Sequence, residues 1–114
     1  MVFERVLKGG HFHSTILPEE ISISKNCVVF GKKVKASLNQ GFVEVFLDRK
    51  NNLVGFVSSK SPVTGYKIHK GNNTTGIFAK HLERKVYQAK LQDGLWVIKV
   101  KKIHEDIPTT KQNE

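Results

Sequence analysis

The side chains of this sequence with the clearest chemistry are its basic ones. Of 114 residues, 19 are Lys or Arg and 10 are Asp or Glu, so the formal net charge is +9. The arginines are Arg5, Arg49 and Arg84, and the other basic residues are lysines. Arginine reads guanine edges through two parallel hydrogen bonds, whereas the lysine ammonium is a point charge that suits phosphate. The composition therefore favours a polyanionic partner, bound through its backbone more than through base edges.

Two stretches of the chain carry basic residues and no acidic ones, residues 21–43 and residues 49–82. We predict that the basic side chains in and just after these stretches bind phosphate, namely Lys25, Lys32, Lys33, Lys35, Lys67, Lys70, Lys80, Arg84 and Lys85. Phe42 and Phe46 are the candidates for stacking on unpaired bases. The alternative interpretation is that these charged runs are solvated faces with no ligand.

Acidic and metal-ligating residues do not form a catalytic pattern. Glu44 and Asp48 are isolated from other acids, and a two-metal nuclease needs carboxylates that converge. His11 and His13 would share one side of a strand, but two ligands are too few for zinc. We therefore expect a protein that is not an enzyme and that uses no metal and no cofactor. A small nuclease or metal enzyme built on these residues is the third hypothesis.

Hydrophobic periodicity places the first of the basic stretches on hairpins and a short helix. Residues 21–30 alternate between apolar and polar around the turn sequence SKN, which predicts a hairpin. Phe30, Val34 and Leu38 are spaced four apart, which predicts one apolar stripe on a short helix. Residues 42–57 then form two predicted strands around a polar turn.

The second part of the chain repeats this order of elements. Residues 65–78 predict a hairpin, and Phe78 and Leu82 predict one helical turn. Residues 86–100 predict a second hairpin, because Asp93-Gly94 is a strong signal for a tight turn between strands. The order strand, strand, helix, strand, strand therefore occurs twice along the chain.

This duplication predicts an α+β fold of two pseudo-symmetric units, whose antiparallel sheets are packed by two short helices. Residues 1–20 are expected to be a lead-in segment, and residues 105–114 a flexible tail. The single domain would span residues 21–104, with the repeat at 21–57 and 66–100. Such symmetry would bring two similar basic sets to one molecule, and a homodimer would double them.

The predicted turn after residue 48 pairs Asp48 with Leu53 and so separates two faces of the hairpin. Phe42 and Phe46 lie on the face opposite the expected core. We favour burial of these rings under the N-terminal segment or a second protomer, because large apolar side chains are inside more often than not. The other interpretation is an exposed platform for bases.

The sequence segments ISISK, VEVFLDRKNNLVGF, GYKI, IFAKHL and VYQAKLQDGLWVIKV occur in that order. Together they resemble a set of small prokaryotic proteins with no assigned function, over roughly residues 21–100. The order of hairpin, hairpin and helix is more remotely similar to Whirly-type and transcription-coactivator single-strand binders, and ISISKN to AbrB-type regulators. These resemblances imply a fold and, by analogy only, nucleic-acid binding.

Our first hypothesis is therefore a nucleic-acid-binding protein that acts as an accessory factor in transcription or replication, with DNA as its ligand and single-stranded DNA as one candidate. The alternative is a protein-interaction module or inhibitor from a virus or mobile element that docks on an acidic protein. The single cysteine, Cys27, fits a reducing compartment, so the expected location is the cytoplasm. No apolar run approaches the ~20 residues of a membrane helix, so no membrane partner is expected.

Overall fold

Antiparallel strands make up most of the chain. A computed structural model describes residues 2–3, 16–70, 73–103 and 107. The described residues form the strands β1 (Glu20–Ile23), β2 (Cys27–Phe30), β3 (Phe42–Asp48), β4 (Leu53–Ser59), β5 (Tyr66–Lys67), β6 (Asn73–Thr75), β7 (Lys85–Gln88), β8 (Lys90–Gln92) and β9 (Leu95–Lys99). They also form one α-helix, α1 (Lys32–Ser37), and one 3-10 helix (Ile77–His81).

The strands pair into two antiparallel sheets. The four-stranded sheet has the order β6-β2-β1-β7, and the five-stranded sheet has the order β5-β3-β4-β9-β8. The pairing of Asp48 with Leu53 between β3 and β4 confirms the predicted register. Asp93 and Gly94 have φ angles of 51° and 82°. Two consecutive residues with positive φ form a type I′ turn, which matches the twist of the β8–β9 hairpin.

One hydrophobic core lies between the inner faces of the two sheets. Ile21 and Phe30 enter it from the four-stranded sheet, and Phe56 and Ile98 enter it from the five-stranded sheet; all are at most 2% exposed. The rings of Phe30 and Phe56 meet edge to face across the sheets, with centroids 5.6 Å apart. α1 adds the fully buried Val34 to the same cluster.

The two sheets are linked at both edges, so the strands follow one another around a flattened barrel. At one edge the chain passes from β7 to β8 through Ala89, whose N–H donates to the carbonyl of Glu19 (2.9 Å). At the other edge a single bridge between His69 and Asn73 joins β5 to β6. This arrangement shortens the open edges that could pair with other chains.

The expected α+β class is wrong, because the described residues are mostly β and contain no long helix. The stripe of Phe30, Val34 and Leu38 is buried as its spacing predicts, but α1 has only six residues. The second expected helix is a five-residue 3-10 segment. Four-residue spacing over one or two turns identifies a buried face, but segments this short cannot form a layer of the fold. Neither described helix has the length and apolarity to span a membrane.

The internal repeat of residues 21–57 and 66–100 stays a prediction, and the strand pairing differs between its two parts. In the first part β1 pairs with β2, and β3 pairs with β4. In the second part β5 pairs with β3, β6 with β2, and β7 with β1. The strands of the second part therefore flank those of the first. Most of the expected lead-in, 1–20, and all but one residue of the expected tail, 105–114, lie outside the described residues.

Candidate nucleic-acid interface

The outer face of the five-stranded sheet carries a strip of apolar side chains. Strand register places Phe46 beside Gly55, and Gly55 beside Val97, on this face. Phe46 is 47% exposed, and the other apolar members are half-buried. We call Phe46, Leu53, Val57, Leu95 and Val97 the outer strip. An aromatic ring on an open sheet face is the kind of surface on which nucleic-acid bases stack.

Gly55 keeps the ring of Phe46 accessible. In an antiparallel pair, directly opposed side chains on one face are in contact. Gly55 offers no side chain to Phe46, and Leu95 lies against the Gly55 backbone, where a Cβ would be 3.4 Å from a Leu95 methyl group. The Phe46 ring therefore has no cross-strand side chain on β4 to cover it.

Phe42 is placed differently from Phe46. It is half-buried, and its Cβ lies 2.9 Å from the position that a Cβ on Gly65 would occupy. The chain between β4 and β5 thus passes close to Phe42. Phe46 is the ring of the two that is open to solvent. The sequence predicted that the N-terminal segment or a second protomer buries these rings. Most of that segment lies outside the described part of the chain.

Three exposed lysines border the outer strip. Lys67 on the edge strand β5 is paired with Phe42, and Lys90 on the edge strand β8 is paired with Val97. Lys99, at the end of β9, is paired with Leu53. Cations therefore stand at both lateral edges of this sheet face and at one of its ends, with Lys67 beside Phe42 and not beside a member of the outer strip. Lysines at the margins of a face can neutralise phosphates on either side of stacked bases.

Two carboxylates share this face, and both are held by hydrogen bonds. Glu44 accepts from the hydroxyls of Thr64 (2.7 Å) and Ser59 (2.8 Å), and these bonds lower its pKa. Asp48 accepts from the side-chain amide of Asn51 (2.9 Å) and from its backbone N–H (3.2 Å), which lower the pKa of Asp48. Both groups stay ionised and hold the loops that follow β4 and β3, which accounts for them without catalysis.

Basic side chains gather at one end of the molecule, which we call the turn end. The β1–β2 turn meets the entry to the 3-10 helix there, because Gly76 N–H donates to the carbonyl of Asn26 (3.0 Å). The end of β9 meets the β3–β4 turn, because Val100 N–H donates to Asn52 (2.9 Å). A cleft of about 360 Å³ lies between the segments that follow the 3-10 helix and β9 and is lined by His81, Glu83, Lys101 and Lys102. The basic residues of the turn end are Lys25, Arg49, Lys50, Lys80, Arg84, Lys85, Lys99, Lys101 and Lys102.

Lys85 is held at the turn end by an aromatic ring. Its Nζ lies 5.3 Å from the centroid of Tyr87, within the range of cation–π attraction. The Tyr87 hydroxyl donates to the carbonyl of Glu83 (2.7 Å). Burial raises the pKa of Tyr87, and the Glu83 carboxylate adds to this rise. The ring therefore stays neutral, and the positive charge of Lys85 is oriented beside it.

The structure divides the predicted phosphate-binding residues between two ends. Lys25, Lys80, Arg84 and Lys85 belong to the turn end. Lys32, Lys33, Lys35, Lys67 and Lys70 lie toward the opposite end, on α1 and around the β5–β6 connection. The two ends are separated by the length of the sheet, roughly 20 Å for a seven-residue strand. Lys33 is also engaged in an ion pair with Glu19 (2.8 Å).

Several basic residues of this surface were missed by the sequence prediction. Lys50 lies in an acid-free stretch but has no equivalent in the proposed repeat. Lys90, Lys99, Lys101 and Lys102 follow both stretches. The period-two pattern of residues 95–99 could have predicted that Lys99 lies on the outer face, because it puts Lys99 on the face opposite Trp96 and Ile98.

The described residues contain no group of three or more His, Cys, Asp or Glu side chains that could hold a metal ion. His11 and His13 lie outside the described residues. Comparison of the chain with protein-family models, with curated proteins and with solved structures finds no match.

Proposed function

We propose that the protein is a non-enzymatic nucleic-acid-binding protein of the cytoplasm that holds a single strand on the outer strip. The observation that carries this proposal is the half-exposed Phe46 on an open sheet face that has lysines at three of its margins. The ionised Glu44 and Asp48 flank Phe46 on β3, so phosphates would lie away from that strand, toward Lys67 and Lys99. An accessible ring within a cationic border combines the two features by which single-strand binders work, stacking and backbone neutralisation.

In this proposal the bases and the backbone use different residues. One base stacks on Phe46, and its neighbours lie on Leu53 and Val97. Phosphates on the two sides of the bases are neutralised by Lys67 and Lys99. The lysines of the turn end continue the positive surface beyond Lys99, so a longer strand would gain further contacts. Stacking on one ring is worth about 1–3 kcal/mol per base.

The same surface favours unpaired over paired strands and offers little base reading. Bases inside a duplex are already stacked, so their faces cannot reach a ring on a flat sheet. The described residues paired across the face at its margins are lysines, and lysine gives weaker discrimination between bases than the bidentate guanidinium. We therefore propose a sequence-tolerant binder of single-stranded DNA or RNA.

Fluorescence anisotropy with labelled single-stranded and duplex oligonucleotides tests the proposal. Single strands should bind more tightly than duplex, and the affinity should fall steeply between about 50 and about 200 mM salt. Phe46→Ala should weaken single-strand binding about tenfold. The matched control is Val86→Ala, since Val86 is 45% exposed on the other sheet.

Two outcomes would contradict the proposal. Binding that does not change with salt would exclude contacts to the backbone. Equal effects of Phe46→Ala and Val86→Ala would remove the outer strip from the site. In that case the exposed apolar strip would be better explained as a contact for a protein, which is the alternative hypothesis from the sequence.

A further inference from the structure

A second cleft lies beside β8, an edge strand of the five-stranded sheet. Its volume is about 660 Å³, which is within the range of small-molecule sites. It is lined by Glu19, Lys33, Ser37, Gln88, Ala89, Lys90, Leu91 and Trp96. These residues come from α1, the start of β1, the β7–β8 passage and β9, so the cleft is created by the closure of the barrel at that edge.

The indole of Trp96 has an unused hydrogen-bond donor. Trp96 is 3% exposed. Among the described residues, its Nε1 is a buried side-chain nitrogen that has no hydrogen-bond partner. A buried donor without an acceptor costs about 1–3 kcal/mol. Because Nε1 exposes almost no surface to solvent, an acceptor on a ligand in the adjoining cleft would remove this cost by displacing a side chain of the lining.

Other groups around the cleft also donate. Lys33 and Lys90 bring ammonium groups, and Ser37 brings a hydroxyl. In the β8–β9 hairpin, Leu91 and Trp96 are a non-hydrogen-bonded pair, flanked by the hydrogen-bonded pairs on either side. The backbone N–H of Leu91 therefore points away from β9, toward the free edge of the sheet. Glu19 is the acidic residue of the lining, and it forms an ion pair with Lys33, whose Nζ lies 2.8 Å from Glu19 Oε2.

The cleft also has an apolar wall. Leu91 is 58% exposed although it shares a face with the buried Trp96, and Ala89 lies between them and β7. A pocket with an apolar wall and a few converging donors is typical of a site for an organic molecule. Because Lys33 and Lys90 are cations and the other polar groups named above donate hydrogen bonds, the bound molecule should be an anion.

We propose that this cleft binds a small organic anion. Its anionic group would lie among Lys33, Lys90 and Ser37 and accept a hydrogen bond from Trp96 Nε1. Its apolar body would lie on Leu91 and the indole ring. The cleft shares Lys90 with the border of the outer strip, but the inference does not depend on the proposed nucleic-acid binding.

NMR titration of the full-length ¹⁵N-labelled protein tests this inference directly. Trp96 is the only tryptophan of the chain, so its indole N–H signal needs no further assignment. Benzoate is the probe, benzyl alcohol controls for the ring without the charge, and inorganic phosphate controls for the charge without the ring. Benzoate should shift the indole signal saturably, and each control compound should bind at least about tenfold more weakly.

Lys90→Glu supplies the matched variant. It should weaken benzoate binding about tenfold or more, whereas Lys60→Glu, with the same charge change at an exposed residue outside the cleft, should change it less than about twofold. The spectra of both variants show directly whether each protein is folded. An indole signal that does not move with benzoate, or equal losses in the two variants, would overturn the inference.

Discussion

The Glu44 carboxylate shows how single residues organise the outer face of the sheet. Thr64 and Ser59 both donate to it, so the chain that leaves β4 is tied back to β3. The bonds stabilise the charged form, and the pKa of Glu44 is lower than usual. A carboxyl group whose pKa is lowered in this way is ionised near neutral pH. Glu44 is therefore a structural anchor and a poor general acid.

Thr64→Val should raise the pKa of Glu44 toward its ordinary value, because the Thr64 hydroxyl is the largest cause of the lowering. A lowered carboxyl pKa stabilises the folded state above the unfolded pKa, and this contribution is lost as the pH falls through the folded pKa. The variant should therefore lose less stability on acidification than the original chain. NMR titration of the Glu44 carboxyl measures the pKa. Ser24→Ala, in the β1–β2 turn of the other sheet, should leave it unchanged, and an unchanged pKa in Thr64→Val would refute the assignment.

At the scale of elements, a close backbone approach fixes how α1 joins the sheet. Gly31 N–H donates to the carbonyl of Glu20 (2.7 Å), and Lys33 N–H donates to that of Pro18 (2.9 Å). A Cβ on Gly31 would clash with the carbonyl oxygens of Leu17 and Pro18. The segment before β1 therefore lies directly on the start of the helix, where a side chain has no room. Here the glycine is required by space, not by its φ angle.

Gly31→Ala should lower the free energy of unfolding by about 3 kcal/mol, since the clash is with backbone that cannot rotate away. Gly94→Ala is the matched control. It has φ +82° and no atom within 4 Å of a new Cβ, so it should cost only the left-handed backbone term of about 1–2 kcal/mol. Urea unfolding of both variants measures the difference. A smaller loss for Gly31→Ala than for Gly94→Ala would contradict the close approach.

Local elements could be predicted from the sequence, and their partners could not. The β8–β9 hairpin follows from Asp93-Gly94, and the β3–β4 register follows from the polar turn between Asp48 and Leu53, because both depend on neighbouring residues. The pairing of β6 with β2 and of β7 with β1 joins residues far apart in the chain. No periodicity within either strand specifies such a partner, so the sequence did not predict that the later strands flank the earlier ones.

At the scale of the whole molecule, the same long-range pairing decides where the charge lies. Lys67 borders the outer strip only because β5 pairs with β3, and Lys99 only because β9 pairs with β4. Sequence runs without acids therefore predicted that the chain is basic, but not which lysines share a face. Lys25 and Lys32, by contrast, stand at the two ends of β2 in the other sheet.

This placement gives a prediction about salt dependence. For a single strand, each neutralised phosphate contributes about 0.7 to the slope of log affinity against log salt. Lys67→Gln with Lys99→Gln should therefore lower the magnitude of the slope by about 1.4 if each lysine contacts one phosphate. Lys25→Gln with Lys32→Gln removes the same charge from the chain. With an oligonucleotide too short to reach the turn end, this pair should change the slope by less than about half as much. Anisotropy titrations over a salt series measure both pairs. Equal changes would show that the strand is bound by the overall positive charge of the protein, and a larger change for Lys25 with Lys32 would move the binding surface to the four-stranded sheet.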